Sequence, residues 1–266
     1  MAVTDDRSTL DGGPPPGAAT PEPMATMTLF EHLAELRNRL IISFIALAVT
    51  TTVCWFFYND AISFMRTPYC TFLAHHPSKQ FGKGCPLVTS GPLEGFTTRL
   101  KVCGYGGIAL ATPVLFFELW RFITPGLKDS EKKYVFPFVT AAVVLFAMGV
   151  TTAILVFPKA LQWLIDVGGS GVVPLFSPTK YFTLYVLMCV VFGAVFTYPI
   201  VLVGLELTGV VPSAKWRKWR RPAILVICGV AAVITPSNDP FSFLALALPM
   251  YIFYEASIIL GRILHK

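Results

Sequence analysis

The sequence predicts an all-α polytopic membrane protein, and three observations carry that expectation. Apolar residues make up 55% of the 266-residue chain and charged residues only 14%, against about 25% in a soluble domain. The apolar residues fall in long blocks separated by short polar segments, as spans separated by loops must. The formal charge of +6 sits mostly in the segments between blocks, where positive-inside topology accounts for it. No Lys/Arg run is interleaved with aromatics as a base-stacking surface would be, so no nucleic-acid partner is expected.

Residues 1–27 contain DGGPPPGAATPEP, a composition that cannot bury a core and reads as a disordered tail. The tail has acids, one Arg and no apolar h-region, so it is not a cleavable signal peptide. Residues 28–266 form one six-helix transmembrane domain. Its first element opens at Thr28–Leu40, TLFEHLAELRNRL, with Leu29, Leu33, Leu36 and Leu40 in one stripe. Thr28 with Glu31 has the spacing of a capping box, and Glu31, Glu35 and Arg39 line another face. The first span is 38–57.

A polar outer loop, Tyr58 to Pro92, holds Pro68, Pro77 and Pro86 and is long enough for short surface helices. The second span is 96–121, with a kink expected at Pro113. The loop FITPGLKDSEKKY leads to the third span, 135–157. After a loop over 158–178 with VGGSG and SP turn signals, the fourth span is 180–205 with Pro199 inside it. SAKWRKWRRP is a basic interfacial segment. The fifth span, 222–236, has about 15 residues, or roughly 22 Å against about 30 Å of hydrocarbon. The sixth, 241–260, contains Pro249, and TPSNDP turns between the two. A span this short thins the bilayer or recruits partners. Lys and Arg counts across the gaps place both termini on the inner side.

Hydrolase, zincin, P-loop and kinase signatures are absent, so no enzyme, cofactor or metal is expected. Cys54, Cys103, Cys189 and Cys228 fall in spans as small packing residues. Cys70 and Cys85 share the outer loop, where an oxidising compartment allows them to pair; two free thiols are the alternative. Glu94, Glu118, Glu206, Asp239 and Glu255 lie near span ends, each read singly as structural. Glu35 at the foot of the first span and Glu131 in the next inner loop make a carboxylate pair. Such a pair suits two guanidinium groups. The alternative is that Glu131 balances Lys132 and Lys133.

HLAELRNRL, PLEGF, ATPVLFFELWRFITPGLKDSEKK, FTYPIVL, RKWRRP and TPSNDPFSFLALALPMYIFYE occur in that order and together resemble the TatC family, the receptor subunit of the twin-arginine protein translocase. The resemblance covers about residues 28–262. It implies a curved six-helix bundle in the bacterial cell membrane, likewise with both termini inside, that binds twin-arginine signal peptides of folded precursors at its cytoplasmic face. The implied peptide site is Glu35, Arg37, Arg39, Phe122 and Glu131. Pro68 and Pro125 match loop-shaping prolines, and Asp239 an outer structural position. Thr235 matches a polar position where TatA-like and TatB-like single-span subunits dock. Lipid contact, an oligomer, and export driven by the proton motive force without nucleotide are also implied. The chain departs from the family at Tyr198, where a Glu often precedes the proline, and at Phe243, where a Gln often follows Asp-x-x-Ser; both lie on expected partner surfaces.

Overall fold

The computed structural model describes residues 29–75, 85, 87–89, 91–123, 135–168, 176–207, 219–235 and 239–264. Described elements are all helices: α1 Leu29–Phe56, α2 Tyr58–His75, α3 Glu94–Ile123, α4 Val135–Val167, α5 Pro178–Phe196, α6 Tyr198–Leu207, α7 Arg220–Ile234 and α8 Pro240–Leu264. Among the described residues, five helical stretches are long and apolar enough to cross a membrane: 33–56, 94–122, 136–167, 178–204 and 240–259. The short α7 is not one of them. Leu225, Val233, Leu155, Phe44 and Leu248 are among many large apolar side chains left exposed. In water such a surface would aggregate; in lipid it is the solvated face.

α1 packs lengthwise on α3 because α3 has glycines where the two backbones meet. A Cβ at Gly107 would lie 2.9 Å from Thr51 Cα, and one at Gly106 2.9 Å from Cys54 Sγ. Thr50 Oγ1 uses this approach to donate to the Gly107 carbonyl at 2.9 Å. Small residues permitting close helix contact are the usual basis of association in lipid. Pro113 is accommodated within one continuous α3. At the other end of α1, Arg99 donates to the Trp55 carbonyl at 2.9 Å and stacks over the Trp55 ring at 4.2 Å. It thereby satisfies one of the carbonyls a helix C-terminus leaves without an intrahelical partner.

The outer loop carries an 18-residue helix, α2, with Pro68 inside it, where only short surface helices were expected. It is held by aromatic packing: Tyr69 is fully buried, 5.6 Å from Phe176 and 5.7 Å from Tyr181 between centroids. The Tyr181 hydroxyl donates to the Met65 carbonyl at 2.8 Å. Cys70 and Cys85 are joined by a disulfide with Cα atoms 5.2 Å apart. Thr98 and Thr179 hydroxyls meet at 2.6 Å, and Ser177 donates to the Glu94 carboxylate. Glu94 thus ties the start of α3 to the start of α5.

One expected boundary moves and one span is interrupted. The third span was expected to end at Phe157, but α4 continues through Pro158 to Val167. Leu161 stays buried and Ile165 packs on the core, so apolar contact outweighs the one helix hydrogen bond that proline removes. The fourth span keeps nearly its expected extent, 178–204, but its helix is interrupted by a turn at Thr197, two residues before Pro199, between α5 and α6. Pro199 has no N–H to donate to the Val195 carbonyl, and at Thr197 the chain takes a tighter turn, its N–H and Oγ1 both donating to the Ala194 carbonyl, at 3.2 and 2.7 Å. Pro178 opens α5 in its first turn, where a missing N–H costs nothing. The core is aromatic where α2, α4 and α5 meet, around Phe157, Tyr181, Phe182 and Tyr185.

Candidate functional site

Antiparallel packing brings the N-terminal part of α1 and the C-terminal part of α3 to the same end of the bundle. Glu35 and Arg39 are one turn apart on α1, and Glu118 reaches them from α3. Arg39 Nε donates to Glu35 Oε1 at 3.1 Å, Nη2 bonds the same oxygen, and Nη1 lies 3.5 Å from Glu118 Oε2. The Glu35, Arg39 and Glu118 side chains are 22%, 12% and 8% exposed. They form a half-buried trio of two carboxylates and one guanidinium. Glu35 Oε2 is buried and, among the described residues, has no hydrogen-bond partner. An acceptor left this way costs about 1–3 kcal/mol, so the trio is poised to accept one more donor, and its uncompensated negative charge favours a cation.

Of the other expected peptide-binding residues, Arg37 is exposed on α1 and Phe122 is half-buried near the end of α3. Phe122 follows Glu118 by four residues and so shares its face of α3. Glu131 and Pro125 lie outside the described residues, as do Thr28 and the Glu31 side chain of the capping box. The carboxylate found beside Glu35 is therefore Glu118, which sequence reasoning treated as a single structural acid. The available signal was its i,i+4 relation to Phe122.

The expected partner positions fall on α6, the end of α7 and α8. Thr235 is 2% exposed, caps the end of α7 and donates its hydroxyl to the Ala231 carbonyl at 2.5 Å. Tyr198 is half-buried and donates to the Met250 carbonyl on α8. It also lines an apolar cavity of about 570 Å³ together with Leu202, Trp219, Val226 and Tyr254. Phe243 packs against the core. Asp239 is 1% exposed and accepts the Ser242 N–H at 2.7 Å, so it is the N-cap of α8, with Pro240 in the first helical position. Among the described residues no group of three or more His, Cys, Asp or Glu is placed to hold a metal ion.

The comparisons with known proteins agree with one another. The family model for TatC, the Sec-independent protein translocase protein, matches residues 31–249. A Sec-independent protein translocase protein TatC of Frankia casuarinae is 39% identical over 241 residues, covering 88% of this chain and 65% of the relative. The chain thus spans just under two thirds of that protein. The protein of the same name from Koribacter versatilis is 36% identical, with 92% of this chain and 88% of the relative covered. Among solved structures, one described as the twin-arginine translocase receptor TatC in the detergent DDM superposes with a TM-score of 0.71. It is 31% identical, and the match covers 87% of this chain and 99% of that one.

Proposed function

The chain belongs to the TatC family of Sec-independent protein translocase proteins, and from that premise we propose that it is the signal-peptide receptor of a twin-arginine translocase in a bacterial cell membrane. It is a translocase subunit and not an enzyme. It binds twin-arginine signal peptides at the end of the bundle that carries Glu35, which faces the cytoplasm. With TatA-like and TatB-like single-span subunits, as part of an oligomer, it exports folded proteins at the expense of the proton motive force.

The observation that carries this reading is Oε2 of Glu35, buried and unpartnered among the described residues, in a trio with two carboxylates and a single guanidinium. A planar guanidinium donates to both oxygens of a carboxylate in parallel, which an ammonium cannot do. Glu131 supplies the second carboxylate and Phe122 an apolar contact beside it. Arg39 acts by holding Glu35. Exposed Arg37 belongs to the rim of the site. The six-span bundle includes α7, whose side chains Leu225, Val226 and Val233 are left exposed and give a single-span partner an apolar face to dock on. Thr235, Tyr198 and Phe243 shape that region from inside.

Photo-crosslinking of a twin-arginine peptide to probes near Glu35 and Glu131, in the full chain in membranes, tests the reading. Crosslinking is expected with the twin-arginine peptide and not with its twin-lysine version. Glu35→Ala and Glu131→Ala each remove charge-assisted bonds of about 1.5–3 kcal/mol, a loss of roughly tenfold or more in peptide affinity. Glu131→Asp is expected to be milder than Glu131→Lys. Unchanged binding in the double alanine variant would assign both acids a structural role.

A further inference from the structure

The Glu35–Arg39 contact raises a difficulty for any guanidinium-binding role of Glu35, because one guanidinium is already there. Arg39 delivers both Nε and Nη2 to Oε1 of Glu35. An arginine of a bound peptide needs both oxygens for a forked contact; Oε1 is taken, and Oε2, though unbonded among the described residues, is buried. Arg39 therefore has to give up Oε1 when the peptide arrives. It cannot simply be released, since it is largely buried and a buried charge without a partner is strongly disfavoured.

We infer that Glu118 is a positioning residue of the same site, receiving the Arg39 guanidinium when a peptide arginine takes Glu35. This rests on the signal-peptide reading above and extends it. Glu118 lies on α3, 79 residues from Arg39 in sequence, and is the more deeply buried of the two carboxylates. In the free chain its contact with Arg39 Nη1, at 3.5 Å, is longer than a good charge-assisted bond of about 2.7–2.9 Å. The guanidinium thus has an acceptor close by whose bond is not yet fully made. A small rotation of the Arg39 side chain shortens the Glu118 contact as it vacates Oε1. The exchange is charge-balanced: one arginine enters, one moves across, and two carboxylates end with two guanidinium groups.

The exchange also sharpens selectivity. A lysine ammonium makes no forked contact with a carboxylate, so it gains less than an arginine from moving Arg39 off Glu35. Glu118 therefore contributes to arginine-over-lysine discrimination without touching the peptide.

The test uses the full chain in nanodiscs, fluorescently labelled twin-arginine and twin-lysine peptides, and binding anisotropy. In Glu118→Gln, Arg39 loses its second anion and stays on Glu35. Twin-arginine affinity is expected to fall about tenfold or more, with twin-lysine binding unchanged. Adding Arg39→Met to Glu118→Gln removes the competitor and is expected to recover most of the lost twin-arginine affinity. A Glu118→Gln protein that binds the twin-arginine peptide like the parent overturns the proposal. So does a loss that Arg39→Met fails to recover, which makes Glu118 a structural residue. Should Glu118→Gln not fold, Glu118→Asp keeps the charge and must keep the arginine preference; losing that preference while folded overturns the idea. If the parent chain binds both peptides equally or neither, the signal-peptide reading itself fails, before any variant is compared.

Discussion

At the residue scale, many Ser and Thr side chains in this bundle bond the carbonyl four residues back on their own helix, while Arg99 and the trio at Glu35 reach across helices. The Arg99 guanidinium meets the Trp55 carbonyl and two aromatic faces, Trp55 at 4.2 Å and Tyr58 at 5.0 Å. Arg99→Met removes a bond and stacking worth together about 1–3 kcal/mol. A lower unfolding temperature in detergent is expected, with peptide binding at the opposite end unchanged. Glycines allow a second test. A Cβ at Gly149 would meet the Gly193 backbone at 2.8 Å, whereas one at Gly104 has nothing within 4 Å. Gly149→Ala is expected to destabilise by about 1–3 kcal/mol, as overpacking does, and Gly104→Ala to be neutral or slightly stabilising through helix propensity. The trio at Glu35 was only partly legible in the sequence. The Glu35–Arg39 pair follows from i,i+4 spacing on one helix. Its third member does not, because the Arg39–Glu118 contact depends on how far α3 slides along α1, and that register is set by Gly106 and Gly107 against Cys54 and Thr51.

At the element scale, apolar periodicity and charge located the long helices, while what each proline does was less legible. Pro158 reads as a stop and is not one, because α4 stays in apolar contact beyond it. Pro199 lies inside a single span, 178–204, as the sequence predicts, with the helix interrupted by a turn at Thr197. A local rule about proline is decided by whether tertiary contacts replace the lost hydrogen bond, which sequence alone does not state. α2 shows the same dependence: its Pro and modest hydrophobicity argue against a long helix, yet Tyr69 between Phe176 and Tyr181 fixes it. The Cys70–Cys85 bridge closes the chain over a separation of 15 residues. In the chain-entropy account a loop of this size is stabilised by about 3 kcal/mol. Cys70→Ser with Cys85→Ser is expected to lower stability by up to about that amount and leave peptide affinity unchanged. Thermal unfolding of the oxidised parent, the reduced parent and the double variant checks it; equal stability in all three would mean the aromatic contacts alone hold α2.

At the scale of the whole molecule, the topology turns on α7. Five helical stretches have the length and hydropathy of a span, and an odd number of crossings would put the two chain ends on opposite sides of the membrane. α7 has only 15 residues, about 22 Å of helix against about 30 Å of hydrocarbon. Its packing nevertheless favours a crossing. Arg220 in its first turn pairs with Glu255 in the C-terminal half of α8 at 2.6 Å, and its other end leads through Thr235 to Asp239, the N-cap of α8. α7 and α8 therefore run antiparallel side by side, and α7 returns the chain across most of the thickness that α8 spans. The exposed pair itself contributes little energy; its value is as a ruler, fixing which ends coincide. With α7 counted, the crossings are even, and the positive-inside rule then predicts that the end carrying Arg37, Arg39, Arg121, Arg220 and Arg221 is the inner one. The expectation is that reporters fused before Ala18 and after Lys266 both report from the cytoplasm, and that a tag in the Cys70–Cys85 loop is reached only from outside. If a helix this short crosses, it calls for local thinning of the bilayer, so reconstitution into thicker-chained lipid is expected to destabilise the α7–α8 hairpin first, seen as faster hydrogen exchange over 220–235 than over α3. A C-terminal reporter that reads from outside while the N-terminal one reads from inside would remove α7 from the membrane and leave five crossings.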